Sequence, residues 1–328
     1  TSCTQALRRA ERTHRPPAAE AFDRRPHASA LYRRAVSASR RPLISTADGS
    51  KSGSFGPAEW SMLLFLAVVW GASFLFIAIG LEAFTPGMVA WLRLIIAVAV
   101  LSALPSVRRR VDRRDWPAIA IVTVAGNAGP ALLFAYAEQT IESSLAGMLN
   151  AAVPLATATI AFGLGIRSLR RVHAIGLVLG FAGVVLLSLP SATGSGSETL
   201  AVALVLLAVA GYALTGNVLV PLQQKYGALP VIYRAQALGV VLVTPFGLTN
   251  LSDNRFELGP FIAVAILGGV GTGVARSVQA TIAGRMGAPR ASIIGYLVPI
   301  VAMVLGIAFR DESLEPLELA GFAVVMVS

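Results

Sequence analysis

Charge is scarce in this chain. Of its 328 residues only 13% are Asp, Glu, Lys or Arg, against 55% hydrophobic, whereas soluble domains carry about 25% charged residues. That shortage excludes an ordinary water-soluble fold with a polar shell. Cysteine occurs once, as Cys3, which excludes a disulfide framework or a cysteine-built metal site. Histidine occurs three times, twice near the N-terminus. Neither HExxH nor GxSxG is present, so the signatures of zinc proteases and serine hydrolases are missing. No cofactor and no metal are expected.

What the chain does have is apolar length and arginine. Its net charge of +10 would permit a nucleic-acid partner, but the distribution of that charge argues against one. Eleven of the 27 basic residues precede Trp60, and most others sit in short stretches between apolar runs. Residues 1–59 are rich in Arg, Ala, Ser and Pro, lack the apolar core of a secretory signal, and read as a disordered tail. The tail begins at Thr1 rather than Met, and an organelle transit peptide is its alternative reading. Arginine outnumbers lysine 25 to 2, a hint of a GC-rich bacterial genome.

After the tail come ten apolar spans, near 60–81, 86–107, 117–136, 143–165, 172–190, 199–221, 230–250, 259–282, 289–309 and 316–328. A bilayer crossing takes about 20 residues, so the last, of about 13, is expected to be a truncated tenth helix. The expected fold is an all-α membrane protein of ten transmembrane helices with short connections. Placing the tail in the cytoplasm puts eleven basic residues in the inside loops: Arg108, Arg109, Arg110, Arg113, Arg114, Arg167, Arg170, Arg171, Lys225, Arg285 and Arg290. Only Arg255 and Arg310 fall outside, with most of the loop acids. This is a positive-inside pattern and places the N-terminus in the cytoplasm.

One segment occurs twice. Leu164 to Gly176 reads LGIRSLRRVHAIG, and 145 residues later Phe309 to Gly321 reads FRDESLEPLELAG, with Ser168, Leu169 and Gly176 falling on Ser313, Leu314 and Gly321. Ala146, Val153 and Pro154 fall on Ala291, Val298 and Pro299 at the same offset. Five spans separate the copies, an odd number, so the second enters the bilayer upside down. A basic loop in one copy and an acidic loop in the other follow from inversion under the positive-inside rule. The chain therefore reads as a tail (1–59) and two inverted five-helix repeats, 60–190 and 199–328, the second incomplete at its end.

These residues resemble the drug/metabolite transporter superfamily, in its ten-helix branch built from two EamA-type repeats. The resemblance covers Trp60 to Ser328 and is carried by WGASF at 70–74, PGMVAWLRL at 86–94, RRDW at 113–116, SSLAGMLNAAVPL at 143–155 and the two loop copies. The family's Gly-Glu pair after the fourth helix is replaced by Gly165-Ile166, while the second copy keeps Asp311-Glu312. The resemblance implies export or uptake of small metabolites, often amino acids or related compounds, by alternating access.

Candidate site residues follow from what an apolar span tolerates poorly. Arg276 lies near the middle of the eighth span and Arg93 about seven residues into the second. A charge at mid-helix costs at least about 2.5 kcal/mol on insertion scales. Such an arginine either meets an anionic group such as a substrate carboxylate or snorkels and bonds carbonyls. Pro154 and Pro299 open the backbone ladder at matching places, which in transporters points to the binding site or else to a packing kink. Asn150 and Tyr296 precede them. Trp70, Asn127, Tyr136, Tyr212, Gln236 and Gln279 complete the candidates, each open to helix-to-helix bonding instead. The GGVGTG run at 268–273 reads as close helix packing rather than a nucleotide loop, since no GKS or GKT follows, and His173 reads as interfacial. Glu138 and Glu142 flank a loop and Glu318 starts the last helix, so no carboxylate is expected deep in a span and proton coupling is not visible.

The expected function is secondary transport of a small molecule across an inner membrane, with the bilayer as environment and no enzymatic activity. Two other classes compete. A lipid-acting membrane enzyme would need a nucleophile, metal ligands or paired acids at the membrane face. A non-transporting sensor would use the Arg-rich tail to bind lipid, and would lose activity when residues 1–59 are deleted.

Overall fold

The computed structural model describes residues 56–163, 171–193, 196–287 and 291–328. Almost all of the expected tail, residues 164–170 of the basic loop copy, Arg290 and the side chain of His173 lie outside that description. Every described element is helical, and no strand occurs among the described residues.

In chain order the α-helices are α1 (Pro57–Leu81), α2 (Pro86–Ser102), α3 (Trp116–Thr123), α4 (Gly129–Ala137), α5 (Ser143–Leu149), α6 (Val153–Gly163) and α7 (Arg171–Thr193). They continue as α8 (Gly196–Tyr226), α9 (Ala228–Leu248), α10 (Leu258–Ile266), α11 (Ala275–Met286), α12 (Ile294–Arg310) and α13 (Pro316–Val327). Three rods are interrupted. A π-helical stretch, Val124–Ala128, joins α3 to α4, a 3-10 turn, Asn150–Ala152, joins α5 to α6, and a longer π stretch, Leu267–Val274, joins α10 to α11. Six rods are long and apolar enough to cross a membrane, and four more, 86–102, 174–190, 294–310 and 316–327, are shorter apolar helices.

The helix starts are written in the sequence. Pro57, Pro86 and Pro316 occupy the first turn, where a missing N–H costs nothing. Thr85 accepts from the Met88 amide at 3.4 Å. Glu59 and Glu318 reach back to the amides of Gly56 and Glu315, both at 3.0 Å. In lipid such internal pairing is obligatory, because no water is there to take up an orphaned amide.

The rods pair across the two halves. The first rod of one half packs on the fourth of the other, α1 on α12 and α6 on α8, while the second rods pair as α2 with α9 and the fifth as α7 with α13. Each contact thus has an inverted counterpart, as two repeats about a shared axis require. The loops sort into two ends. At the acidic end, Arg255 N donates to Ala83 O at 2.8 Å, Thr85 N donates to Asn254 Oδ1 at 2.8 Å, and Arg310 pairs with Glu82. At the basic end, Lys225 pairs with Asp115 at 2.7 Å, and Arg234 donates to Val107 O and Arg109 O at 3.1 and 2.8 Å.

Candidate functional site

The two π stretches are linked through one side chain, Gln236 of α9. They correspond at the 145-residue offset, Gly126 falling on Gly271 and Asn127 on Thr272. A π turn shifts the carbonyl pattern of a helix, which side chains from other rods can then answer. Trp70 of α1 donates its Nε1–H to Gly271 O at 3.0 Å. Arg93 of α2 donates from Nε to Thr272 Oγ1 at 3.1 Å, and that hydroxyl donates to Leu267 O at 2.9 Å. Gln236 of α9 donates through one Nε2 to both counterparts, to Asn127 Oδ1 at 2.9 Å and to Thr272 O at 3.1 Å. The expected polar candidates Asn127 and Gln236 are therefore joined to each other, and neither lines the cavity described next.

Only small residues permit this approach. A methyl group on Gly126 would stand 2.5 Å from Thr215 Cγ2, and one on Gly271 would stand 3.2 Å from Ser73 Oγ. Thr215 lies on α8 and Ser73 on α1, the first rods of the two halves, so each half presses one rod onto the other half's π stretch.

Beside these contacts lies a cavity of about 80 Å³. At roughly 10–15 Å³ per water by this measure, it has room for several waters or the polar end of a metabolite. Of the expected site residues, Trp70, Arg93, Asn150, Tyr212, Arg276 and Gln279 line it. Ser73, Thr157, Thr215 and Ser292 line it as well, and sequence reading had not singled them out. Pro154 stands behind the wall, where a Cβ on Gly295 would meet its Cδ at 2.7 Å. Pro299 is buried beside the lining residue Val298, Tyr296 is half-buried off the lining, and Tyr136 is 42% exposed on the bundle surface.

Arg276 dominates the electrostatics. It is 9% exposed, and its guanidinium carbon lies 4.4 Å from the Tyr212 ring centre and 5.2 Å from that of Trp70. Both rings are within cation-π range. Nη1 donates to Gln279 Oε1 at 3.1 Å, a partner one turn along α11. Among the described residues Arg276 makes no ion pair. Aromatic faces and one amide offset part of the cost of burying a cation, and no anion among the described residues neutralises it. Two acceptor atoms in the same lining, Asn150 Oδ1 and Thr215 Oγ1, are buried without a hydrogen-bond partner. The site thus offers a positive group and unfilled oxygen acceptors together.

Toward the acidic end the bundle is shut. Phe74 and Phe134 meet edge to face with ring centres 5.4 Å apart, and Phe134 stacks on Tyr212 at 6.1 Å. Beyond this aromatic plug Glu312, in the loop after α12, ties α12 to the start of α5. Its carboxylate accepts from Ser143 N at 3.0 Å, Ser143 Oγ at 2.6 Å and Ser144 N at 2.8 Å. Burial pushes the Glu312 carboxyl up, and the bonds from Ser143 and Ser144 overcome this and hold it below the usual carboxylate range. The preceding residue, Asp311, has φ of 51°, a left-handed conformation that Gly adopts freely and Asp tolerates. The acid pair kept in the second copy is thus a turn and a helix cap. The carboxylates do stay near the helix ends, but three of them are buried there, Glu59 and Glu138 at 9% and Glu318 at 7% exposure.

The EamA-like transporter family matches the chain twice, over residues 59–189 and 199–328. "Uncharacterized inner membrane transporter YedA" of Escherichia coli K12 is 25% identical over 283 residues, covering 81% of this chain and 89% of that protein. "WAT1-related protein At3g02690, chloroplastic" of Arabidopsis thaliana is 27% identical over 302 residues, covering 86% of this chain and 71% of its own length. "Probable terminal-alkyne amino-acid exporter" of Streptantibioticus cattleyicolor is 25% identical over 271 residues, covering 81% of this chain and 90% of that protein. A solved crystal structure superposes with a TM-score of 0.61 at 16% identity, over 81% of this chain and 93% of that one, and so shares the fold.

Proposed function

Since the chain belongs to the EamA-like transporter family, which matches both of its halves, we propose that it moves a small carboxylate-bearing metabolite of the amino-acid type by alternating access. That it is a multi-pass membrane transporter of small molecules rests on the family and on its named relatives. The cargo is the further step, and one observation carries it. Arg276 is a buried cation with no anionic partner among the described residues, and it borders a cavity that also holds the unpartnered acceptors Asn150 Oδ1 and Thr215 Oγ1. A carboxylate supplies what the guanidinium lacks, and an ammonium group supplies donors for the acceptors. One relative is named for amino-acid export, in keeping with this chemistry.

In this reading the cavity reached from the basic end is the substrate site in one of two alternating states. The aromatic plug of Phe74 and Phe134 and the Glu312 tie close the other end. The basic end faces the cytoplasm of a cell with an inner membrane, where positive loops are retained. Transport runs by rocking of the halves about the paired π stretches.

The test is uptake by proteoliposomes holding the full chain, screened with labelled amino acids and other metabolites, with Arg276→Ala beside it. Saturable uptake that the substitution weakens for carboxylate-bearing compounds and spares for the rest supports the site. Uptake indifferent to Arg276→Ala leaves a transporter whose cargo is recognised elsewhere, and no uptake by folded protein removes the reading.

A further inference from the structure

Glu138 has no task in the site described so far. It stands immediately beyond α4, four residues after Phe134 and so on the same face of the rod. That places it directly behind the aromatic plug, on the closed side. It is 9% exposed, and neither carboxyl oxygen has a hydrogen-bond partner among the described residues. A buried carboxylate in that condition is costly.

The repeat says what such a position becomes. At the 145-residue offset Glu138 corresponds to Ala283, and Ala283 lines the cavity at the basic end. In a carrier built of inverted repeats, each half in one end state takes up the arrangement the other half had in the opposite state. When the acidic end opens, position 138 therefore acquires the setting that position 283 has now, the wall of a water-filled cavity. One carboxyl thus alternates between a dry pocket and a wet one, and water favours its ionised form.

Building on the carrier reading above, we infer that Glu138 is a proton-binding gate residue: with the proton on its carboxyl the acidic end stays shut, and release of that proton opens it. The reaction is a simple carboxyl ionisation, with the proton passing to water in the newly opened cavity. The charged groups acting on Glu138 are Arg93 from α2, and Glu312 and Arg310 from the end of α12 and its loop. None of them is bonded to it. Arg93 is engaged with Thr272, Glu312 with Ser143 and Ser144, and Arg310 with Glu82. Glu138 itself lies beyond the span, and burial pushes its carboxyl well above the ordinary range despite Arg93. The shut state is accordingly the one favoured at low pH, and its advantage is lost as pH rises from the ordinary carboxyl range through the raised value.

The experiment needs no substrate. Pyrene is attached at Thr140→Cys and Ser313→Cys, which flank the Glu312 tie, in a full chain carrying Cys3→Ser. The excimer emission of the protein in liposomes is followed as pH is raised. The ratio of separated to joined ends is expected to climb with pH, by up to tenfold per pH unit for a single proton. Glu138→Gln should hold the ends joined at every pH, Glu138→Asp should restore the response with a displaced midpoint, and Glu142→Gln should leave it in place. A response that survives Glu138→Gln overturns the inference. If the parent shows no response although it transports, the gate is overturned and the carrier stands. A response abolished by Glu138→Gln in a protein that transports nothing keeps the gate and removes the carrier reading, and no response without transport removes both.

Discussion

The two π stretches occupy corresponding places in the two repeats, and they differ in what surrounds them. Val124–Ala128 leads into α4, whose position 131 is a buried alanine, while Leu267–Val274 leads into α11, where the counterpart of Ala131 is Arg276. The second stretch is also met by the indole of Trp70 and the guanidinium of Arg93, while the first is met by the side chains of Thr215 and Gln236. The backbone is thus nearly symmetric and the chemistry is not. A scaffold that must close at either end benefits from two equal halves, whereas a site that recognises one kind of small molecule needs groups that differ between them. Duplication supplied the first property, and substitutions at a few cavity positions supplied the second.

The difference can be attacked at its strongest point first. Replacing Arg276 by Ala removes the buried charge that distinguishes the cavity face of α11 from α4, and uptake of carboxylate-bearing compounds should fall at least about tenfold, equivalent to roughly 1.4 kcal/mol. Next comes the residue the two stretches share. Gln236→Leu deprives both Asn127 Oδ1 and Thr272 O of a donor in a dry setting, and at about 1–3 kcal/mol per abandoned group the purified protein should melt several degrees lower. A third measurement sharpens the asymmetry itself. Gly126→Ala meets the Thr215 side chain at 2.5 Å and should cost about 1–3 kcal/mol as overpacking. Gly271→Ala, with Ser73 Oγ at 3.2 Å as its nearest neighbour, should cost clearly less. Equal losses in thermal stability would contradict the different packing of the two halves.

The smallest effect concerns Glu312, whose tie to α5 is partly open to water. Because its carboxyl is held below the ordinary range in the folded protein, the stabilisation is fully present above the ordinary carboxyl value. It disappears as pH falls through the lowered one. Glu312→Gln should cost about 1 kcal/mol, the partial exposure holding it to the lower part of the range for such bonds, and should flatten the acid limb of a stability profile. An acid limb that the substitution leaves untouched would assign that loss to another carboxylate.

Much of this was legible in the sequence because hydropathy and loop charge are read one residue at a time. The spans, the paired loops at 164–176 and 309–321, and the presence of Arg276 within an apolar run all announce themselves in that way. The π stretches do not. Nothing in VAGNA or LGGVGTGV separates a π turn from an α turn, since the choice is made by Trp70, Arg93 and Gln236, which arrive from other rods. Thr215 does not stand out, because one threonine in an apolar span looks like filler. The place of Glu138 in the chain marks it as a loop residue, and only the packing of α4 against its neighbours reveals that it is buried. The candidates Asn127 and Gln236 were sound as polar residues in apolar runs, but a hydrogen bond between two such residues looks the same in sequence as a contact with a ligand.

The π stretches also restrict what can be added to or taken from the chain. Each residue inserted in or deleted from a helix turns everything beyond it by about 100°. One residue lost between Leu267 and Val274 would swing α11 so that Arg276 no longer pointed into the cavity. From Val124 to Gly176 and from Gly269 to Gly321 the two halves have kept the same number of residues, although most of the letters have changed. In this part of the molecule length is the inherited quantity, and a variant one residue shorter could reach the membrane intact and still be unable to grip its cargo.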